Sequence, residues 1–208
     1  MQNLVNVTNH LKQKLSVIPD ADIHKEVLII IETKNGRSYF KDEDDNYWRV
    51  FHFLKNTRSY DQVETEKQAF EGGKAFGRFQ ALLSDRDTSR VKDTIPDFHN
   101  IESRLSRLLT AIDKNAVGRL NQLLPEIEFI NVRANKMNEI LSSGRAGILP
   151  QRIVHNETKF NNFLLDNEDK AQCVIDLDTV MPGYVAYDFG DSIALLSIPL
   201  PRMKRILS

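Results

Sequence analysis

The chain predicts an α+β fold, on three observations. Extended runs of β-branched and aromatic residues crowd into the first 54 positions, apolar residues at helical spacing take over from residue 65, and a hairpin pattern returns between residues 162 and 175. Taken in order, Leu4, Val7, Leu11 and Leu15 recur every three or four residues and predict an opening amphipathic helix. Glu26 to Thr33 reads as a strand, Asn35-Gly36 supplies a tight-turn signal, and Ser38-Tyr39-Phe40 begins the return. A second turn over Asp42 to Asn46 leads into Tyr47 to Leu54, which completes a three-stranded antiparallel meander.

Beyond residue 54 the pattern is mainly helical. Thr65 with Gln68 makes a capping box, and Ala69, Gly73, Phe76, Phe79 and Leu83 line one face of the helix it starts. Pro96 to Asn100 forms a loop. Ile101, Leu105, Leu108 and Ile112 define the next helix, and Ile127, Ile130, Ala134, Met137 and Leu141 another after Pro125. Gly72 and Gly77 nearly spell a phosphate-cradling G-x-x-x-x-G-K-[ST]. Its Lys and Ser/Thr are missing and the pattern falls inside a helix, so close helix packing by small residues is the better account.

The bulk numbers exclude more than they assign. A length of 208 residues suits one domain, or one and a half lobes of a two-lobed enzyme. A net charge of -1 argues against a nucleic-acid or anionic-membrane partner. The single Cys, Cys173, rules out a disulfide framework and fits a reducing compartment. No apolar run approaches the ~20 residues needed to span a bilayer. The first residues lack the basic-then-apolar build of a signal peptide, so a cytoplasmic protein is expected.

The chemistry concentrates in His155-Asn156-Glu157-Thr158-Lys159-Phe160-Asn161-Asn162, which carries the order and spacing H-x-D-x-K-x-x-N of a kinase catalytic loop. Glu157 stands where Asp is expected. Asp176, in Ile175-Asp176-Leu177-Asp178, follows fourteen residues after Asn162, with Asn162 to Leu165 and Cys173 to Ile175 reading as the strands of a hairpin between them. Phosphoryl transfer needs an oriented nucleophile and neutralised phosphate charge. A carboxylate at Glu157 can accept a hydroxyl proton, and Lys159 either balances charge near the phosphate or is an ordinary solvated lysine. Asn162 and Asp176 offer the hard oxygen ligands that Mg²⁺ prefers. Asp178 either joins the metal or caps the turn into Met181-Pro182-Gly183. His155 reads as structural. Asp188-Phe189-Gly190 spells a kinase metal motif but lies 31 residues beyond Glu157, so Asp188 or Asp191 is expected to be a hydrogen-bond anchor at the start of a helix.

These runs, with Val174-Ile175-Asp176-Leu177-Asp178-Thr179-Val180-Met181-Pro182-Gly183-Tyr184 and Tyr187 to Ile193, resemble the aminoglycoside-phosphotransferase-like kinases. The branch containing N-acetylhexosamine 1-kinases is the most similar. Tyr47-Trp48-Arg49 and Thr94 to Asn100 resemble it too, so the likeness covers nearly all of residues 1 to 193. The resemblance implies an incomplete bilobal, protein-kinase-like fold. A partial N-lobe would span residues 1–54, a helical C-lobe with the catalytic and metal-binding loops residues 55–193, and a tail unlike the family residues 194–208. It also implies transfer of the ATP γ-phosphate to a sugar hydroxyl, with Glu157 and Lys159 catalytic, Asn162, Asp176 and Asp178 at Mg²⁺, and Asp97, His99 and Asn100 near the sugar.

Three departures accompany the likeness. The family's glycine-rich loop and the strand bearing its ATP-binding Lys should precede the first helix, so Met1 is read as an internal Met of a longer frame, and whether another polypeptide supplies the missing lobe is left open by the sequence. Glu157 adds a methylene to the base. The basic, apolar residues after Ile193 are read as a frameshift, because a shifted frame gives an acidic helix like the family's. Weak or absent turnover is therefore expected of this chain alone, with a non-catalytic sugar- or metal-binding remnant as the alternative; a metal-dependent hydrolase is disfavoured, since only two or three ligands are visible and none is a His pair.

Overall fold

The computed structural model describes residues 1–196. The chain forms two compact units, Met1–Thr94 together with the chain from Arg152 onward, and Ile95–Gln151. The fold is α+β, as expected: helices with small antiparallel sheets.

In the first unit, helix α1 (Gln2–Leu15) forms where the periodicity places it, with Leu4, Val7, Leu11 and Leu15 all buried. Helix α2 (Ile23–Glu26) replaces the beginning of the expected Glu26–Thr33 strand. The Asp22 carboxylate accepts the His24 N–H at 3.0 Å, and the Glu26 carboxylate accepts the Asp22 N–H at 2.9 Å. This reciprocal cap draws Glu26 into a helical turn. Four short strands follow: β1 (Ile30–Ile31), β2 (Phe40–Lys41), β3 (Tyr47–Trp48) and β4 (Val50–Phe51). β1 pairs with β4 and β2 with β3, so the expected meander is instead two nested ladders sharing Tyr47–Phe51. The Asn35-Gly36 turn does form, with Gly36 at φ +69°.

Strand β5 (Thr57–Arg58) leads to α3 (Glu66–Leu83), the spine of this unit. Thr65 Oγ1 accepts the Gln68 N–H at 3.2 Å, which confirms the predicted cap. The buried face runs through Gln68, Gly72, Ala75, Phe76, Phe79 and Leu83. It is rotated slightly from the expected one, and Gly73 is exposed.

The second unit contains α4 (Ile101–Lys114), α5 (Leu124–Asn131), α6 (Ala134–Met137) and α7 (Glu139–Arg145). The α4 stripe Ile101, Leu105, Leu108 and Ile112 is half-buried. The single helix expected over Ile127 to Leu141 is three. The Arg133 N–H bonds Ile130 O at 3.0 Å and the Asn138 N–H bonds Asn135 O at 3.2 Å. These three-residue closures tighten the backbone and end each helix.

The chain then returns to the first unit through β6 (Arg152–Val154), β7 (Phe163–Asp166), β8 (Ala171–Val174), β9 (Met181–Gly183) and α8 (Val185–Leu196). β7 lies between β5 and β8, all antiparallel, and β6 pairs with β9. The β7–β8 hairpin is the predicted one, its turn closed by Asp166, whose carboxylate accepts the N–H groups of Glu168 (2.8 Å) and Lys170 (3.0 Å). Asn162 itself sits in a 3-10 turn just before β7. Two apolar clusters meet along α3: Phe79 and Leu83 pack with α1, Ile153, Cys173 and Leu177, while Ala75 and Phe76 pack with Phe160, Phe163 and Leu165. Among the described residues no helix is long and apolar enough to cross a membrane. Of the expected tail, residues 194–196 end α8 and the remainder lies outside the described residues.

Candidate active site

The segment His155–Asn162 connects β6 to β7, and side chains from other elements set its shape. Asp188, in the first turn of α8 and 3% exposed, accepts the backbone N–H groups of His155 (2.8 Å) and Asn156 (2.7 Å) and is held by Gln80 of α3. Asp191 accepts the Thr158 N–H at 2.8 Å, and the Thr158 hydroxyl lies between Asp191 (3.1 Å) and the Asp188 carbonyl (3.0 Å). Both aspartates are hydrogen-bond anchors, and Asp188 is the one at the start of the helix; Asp191 lies one turn further on. Burial raises the Asp188 pKa against the opposing effect of the N–H groups it accepts.

His155 is fully buried, edge-on to Phe76 and Phe79 with ring centroids 5.4 and 5.7 Å away. Its Nε2 lies 2.8 Å from the Ile175 carbonyl, so Nε2 carries the proton, and Nδ1 is buried with no hydrogen-bond partner among the described residues. Burial lowers its pKa, and the neutral ring serves the fold. Asn156 takes a left-handed conformation, φ +67°, and donates to Thr179 O at 2.9 Å.

Asn162 ties the His155–Asn162 loop to the next one. Its Nδ2 donates to Glu157 O at 2.8 Å, which fixes the orientation of the amide, and its backbone carbonyl accepts the Ile175 N–H at 2.9 Å. The next residue, Asp176, is left-handed (φ +57°) and exposed, and opens the 3-10 turn Leu177–Thr179 without capping it by its side chain. Glu157 pairs with Lys159, and this bond, reinforced by the charges of Asp176 and Asp191, raises the lysine pKa. Glu157, Lys159, Asn162 and Asp176 thus belong to two loops joined by direct hydrogen bonds.

Asp178 has a different partner. Both of its oxygens bond the guanidinium of Arg49, which lies between β3 and β4, and this pairing lowers the Asp178 pKa. Asp97, His99 and Asn100 share one loop at the start of α4, in the second unit. Asn100 Oδ1 caps the helix by accepting the Ser103 N–H (3.1 Å), and its Nδ2 donates to Asp97 Oδ1 (2.7 Å). The sequence reading did not single out Arg49, Gln80 or Asn156. Arg49 lies 129 residues from its partner, and its one signal was membership in Tyr47-Trp48-Arg49.

The model of the phosphotransferase enzyme family (APH) matches residues 8–203. The chain belongs to this family. In the phosphotransferase, the donor set suits a divalent cation of the Mg²⁺ kind. Asn162 and Asp176 would offer such an ion hard oxygens. Mg²⁺ is commonly held by one or two protein oxygens together with water and substrate phosphates. Asn162 and Asp176 fit that pattern.

Proposed function

We propose that this phosphotransferase moves the γ-phosphate of ATP to a sugar hydroxyl, that of an N-acetylhexosamine. The observation that carries the reading is a division among the carboxylates around the loop. Asp188 and Asp191 hold backbone N–H groups and Asp178 holds Arg49, whereas neither Glu157 nor Asp176 secures another element of the fold. Carboxylates that the fold does not use are the ones available for chemistry.

In this reading Glu157 accepts the proton of the attacking hydroxyl. Lys159, kept charged by its acidic neighbours, balances charge on the transferred group. Asn162 and Asp176 would hold Mg²⁺, which when bound neutralises phosphate charge. Asp97, His99 and Asn100 are assigned to the sugar, and the N-acetylhexosamine assignment is supported by the same branch-specific motifs. ATP as donor and the single buried thiol, Cys173, favour a cytoplasmic setting.

The test is release of ADP by the full chain with Mg²⁺, ATP and N-acetylglucosamine or N-acetylgalactosamine. Sugar-dependent release that falls by at least about 10²-fold in Glu157→Ala is expected. Release that ignores the sugar overturns the substrate assignment, and unchanged turnover in Glu157→Ala overturns the base.

A further inference from the structure

We propose that Arg49 is a positioning residue for the metal-binding turn: it clamps Asp178 and thereby holds Asp176, two residues earlier, in place. The inference rests on the phosphotransferase reading of Asp176 as a metal ligand. Asp176 carries left-handed backbone, φ +57°, a conformation open to Asp, so where its carboxylate stands depends on what holds the turn on either side of it. Before Asp176, both polar groups of the Ile175 backbone are engaged, by Asn162 and by His155. After it, Leu177 is buried in the core, and the carbonyls of Thr179 and Val180 accept side-chain N–H groups from Asn156 and Asn3, each at 2.9 Å. These contacts all hold the inner side of the turn. On the exposed side, Asp178 is the residue that is held, and Arg49 holds it.

The chemistry of the pair suits orientation. Two parallel N–H bonds from a planar guanidinium fix both the distance and the plane of a carboxylate, which a lysine cannot do. Arg49 is itself restrained, because its backbone lies between β3 and β4 and its guanidinium sits 5.5 Å over the Phe51 ring. The clamp also keeps Asp178 from swinging toward the cation as a second anionic ligand. Residues that orient a metal ligand commonly account for about 10- to 100-fold in affinity.

The experiment titrates the full chain with Mn²⁺, as a stand-in for Mg²⁺, by electron paramagnetic resonance in the presence of ATP. Thermal melting checks that each variant is folded. Asp176→Asn is expected to abolish uptake. Arg49→Met and Asp178→Asn should each weaken Mn²⁺ about tenfold, Arg49→Lys should lie between them and the parent, and the double variant should be no worse than either single one. A role in folding alone would move the melting temperature and leave Mn²⁺ affinity unchanged. Affinity within twofold of the parent in Arg49→Met, with Asp176→Asn still inactive, overturns the clamp and leaves the metal reading standing. Loss in Asp178→Asn without loss in Arg49→Met makes Asp178 a ligand itself, which also overturns the clamp. No uptake by the parent, or none lost in Asp176→Asn, overturns the metal reading and the clamp together. Should Arg49→Met not fold, Arg49→Lys and Asp178→Asn decide the question alone.

Discussion

Burial holds the His155 imidazole neutral, and that has a consequence for stability. Its pKa in the folded chain lies below the ordinary 6.5, so between those two values the unfolded chain binds a proton that the native chain does not. The contribution is fully present above about pH 6.5 and is lost as pH falls toward the folded value, with a limiting slope of about 1.4 kcal/mol per pH unit. Urea midpoints for the parent should therefore drop between pH 7.5 and pH 5.5, and the curve for His155→Leu should lack this part. Asp188 is displaced upward and contributes with the opposite sign, so the difference between parent and variant is the diagnostic quantity. For the proposed role of Glu157 as the base, the issue is reach. The additional methylene displaces the carboxylate by roughly 1 Å, a misplacement worth on the order of 10²-fold in rate. Glu157→Asp should accordingly raise kcat about tenfold or more, in the same assay of sugar-dependent ADP release. A fall would mean that the loop has adapted to glutamate.

The β6–β9 ladder fixes where the His155–Asn162 loop begins, and Gly183 is a tight point in it. A Cβ at that position would overlap Val154 Cγ2 on the paired strand. Gly183→Ala should therefore destabilise the chain by about 1–3 kcal/mol through overpacking. In a Val154→Ala background the same substitution should cost less, and denaturant titrations of the four variants would show the coupling. Elements with a local cause were the legible ones. The stripe of α1, the Thr65 cap and the β7–β8 turn closed by Asp166 all arise within a few residues of one another. The loop from His155 to Asn162 could be placed between two strands for the same reason, because its spacing lies within one segment. What misled was apolar content without its local competitor. Glu26 looked extended until its carboxylate capped Asp22, and Ile127 to Leu141 looked continuous although its backbone closes early at Arg133 and Asn138. The Arg49–Asp178 pair was illegible for another reason, since no local pattern reports a contact across 129 residues.

At the scale of the whole molecule, the two units differ in how much each buries. The first unit encloses two apolar clusters that meet along α3. The second has no buried residue in α4, α5, α6 or α7, and Val117 and Ile148 are 81% and 73% exposed. Its ties are polar and lie at the surface: Glu102 of α4 accepts from Arg145 at 2.8 Å and from Asn138 at 3.0 Å. Apolar burial is the main favourable term in folding, and segments with little of it open at lower free energy than the global transition. Native-state hydrogen exchange should thus divide the chain in two. Amides of α4 to α7 should exchange at least about 100-fold faster than those of α3 and β7. Glu102→Ala should accelerate exchange in α7 further without changing α3. Equal protection in both units would mean that the second unit folds and unfolds together with the first.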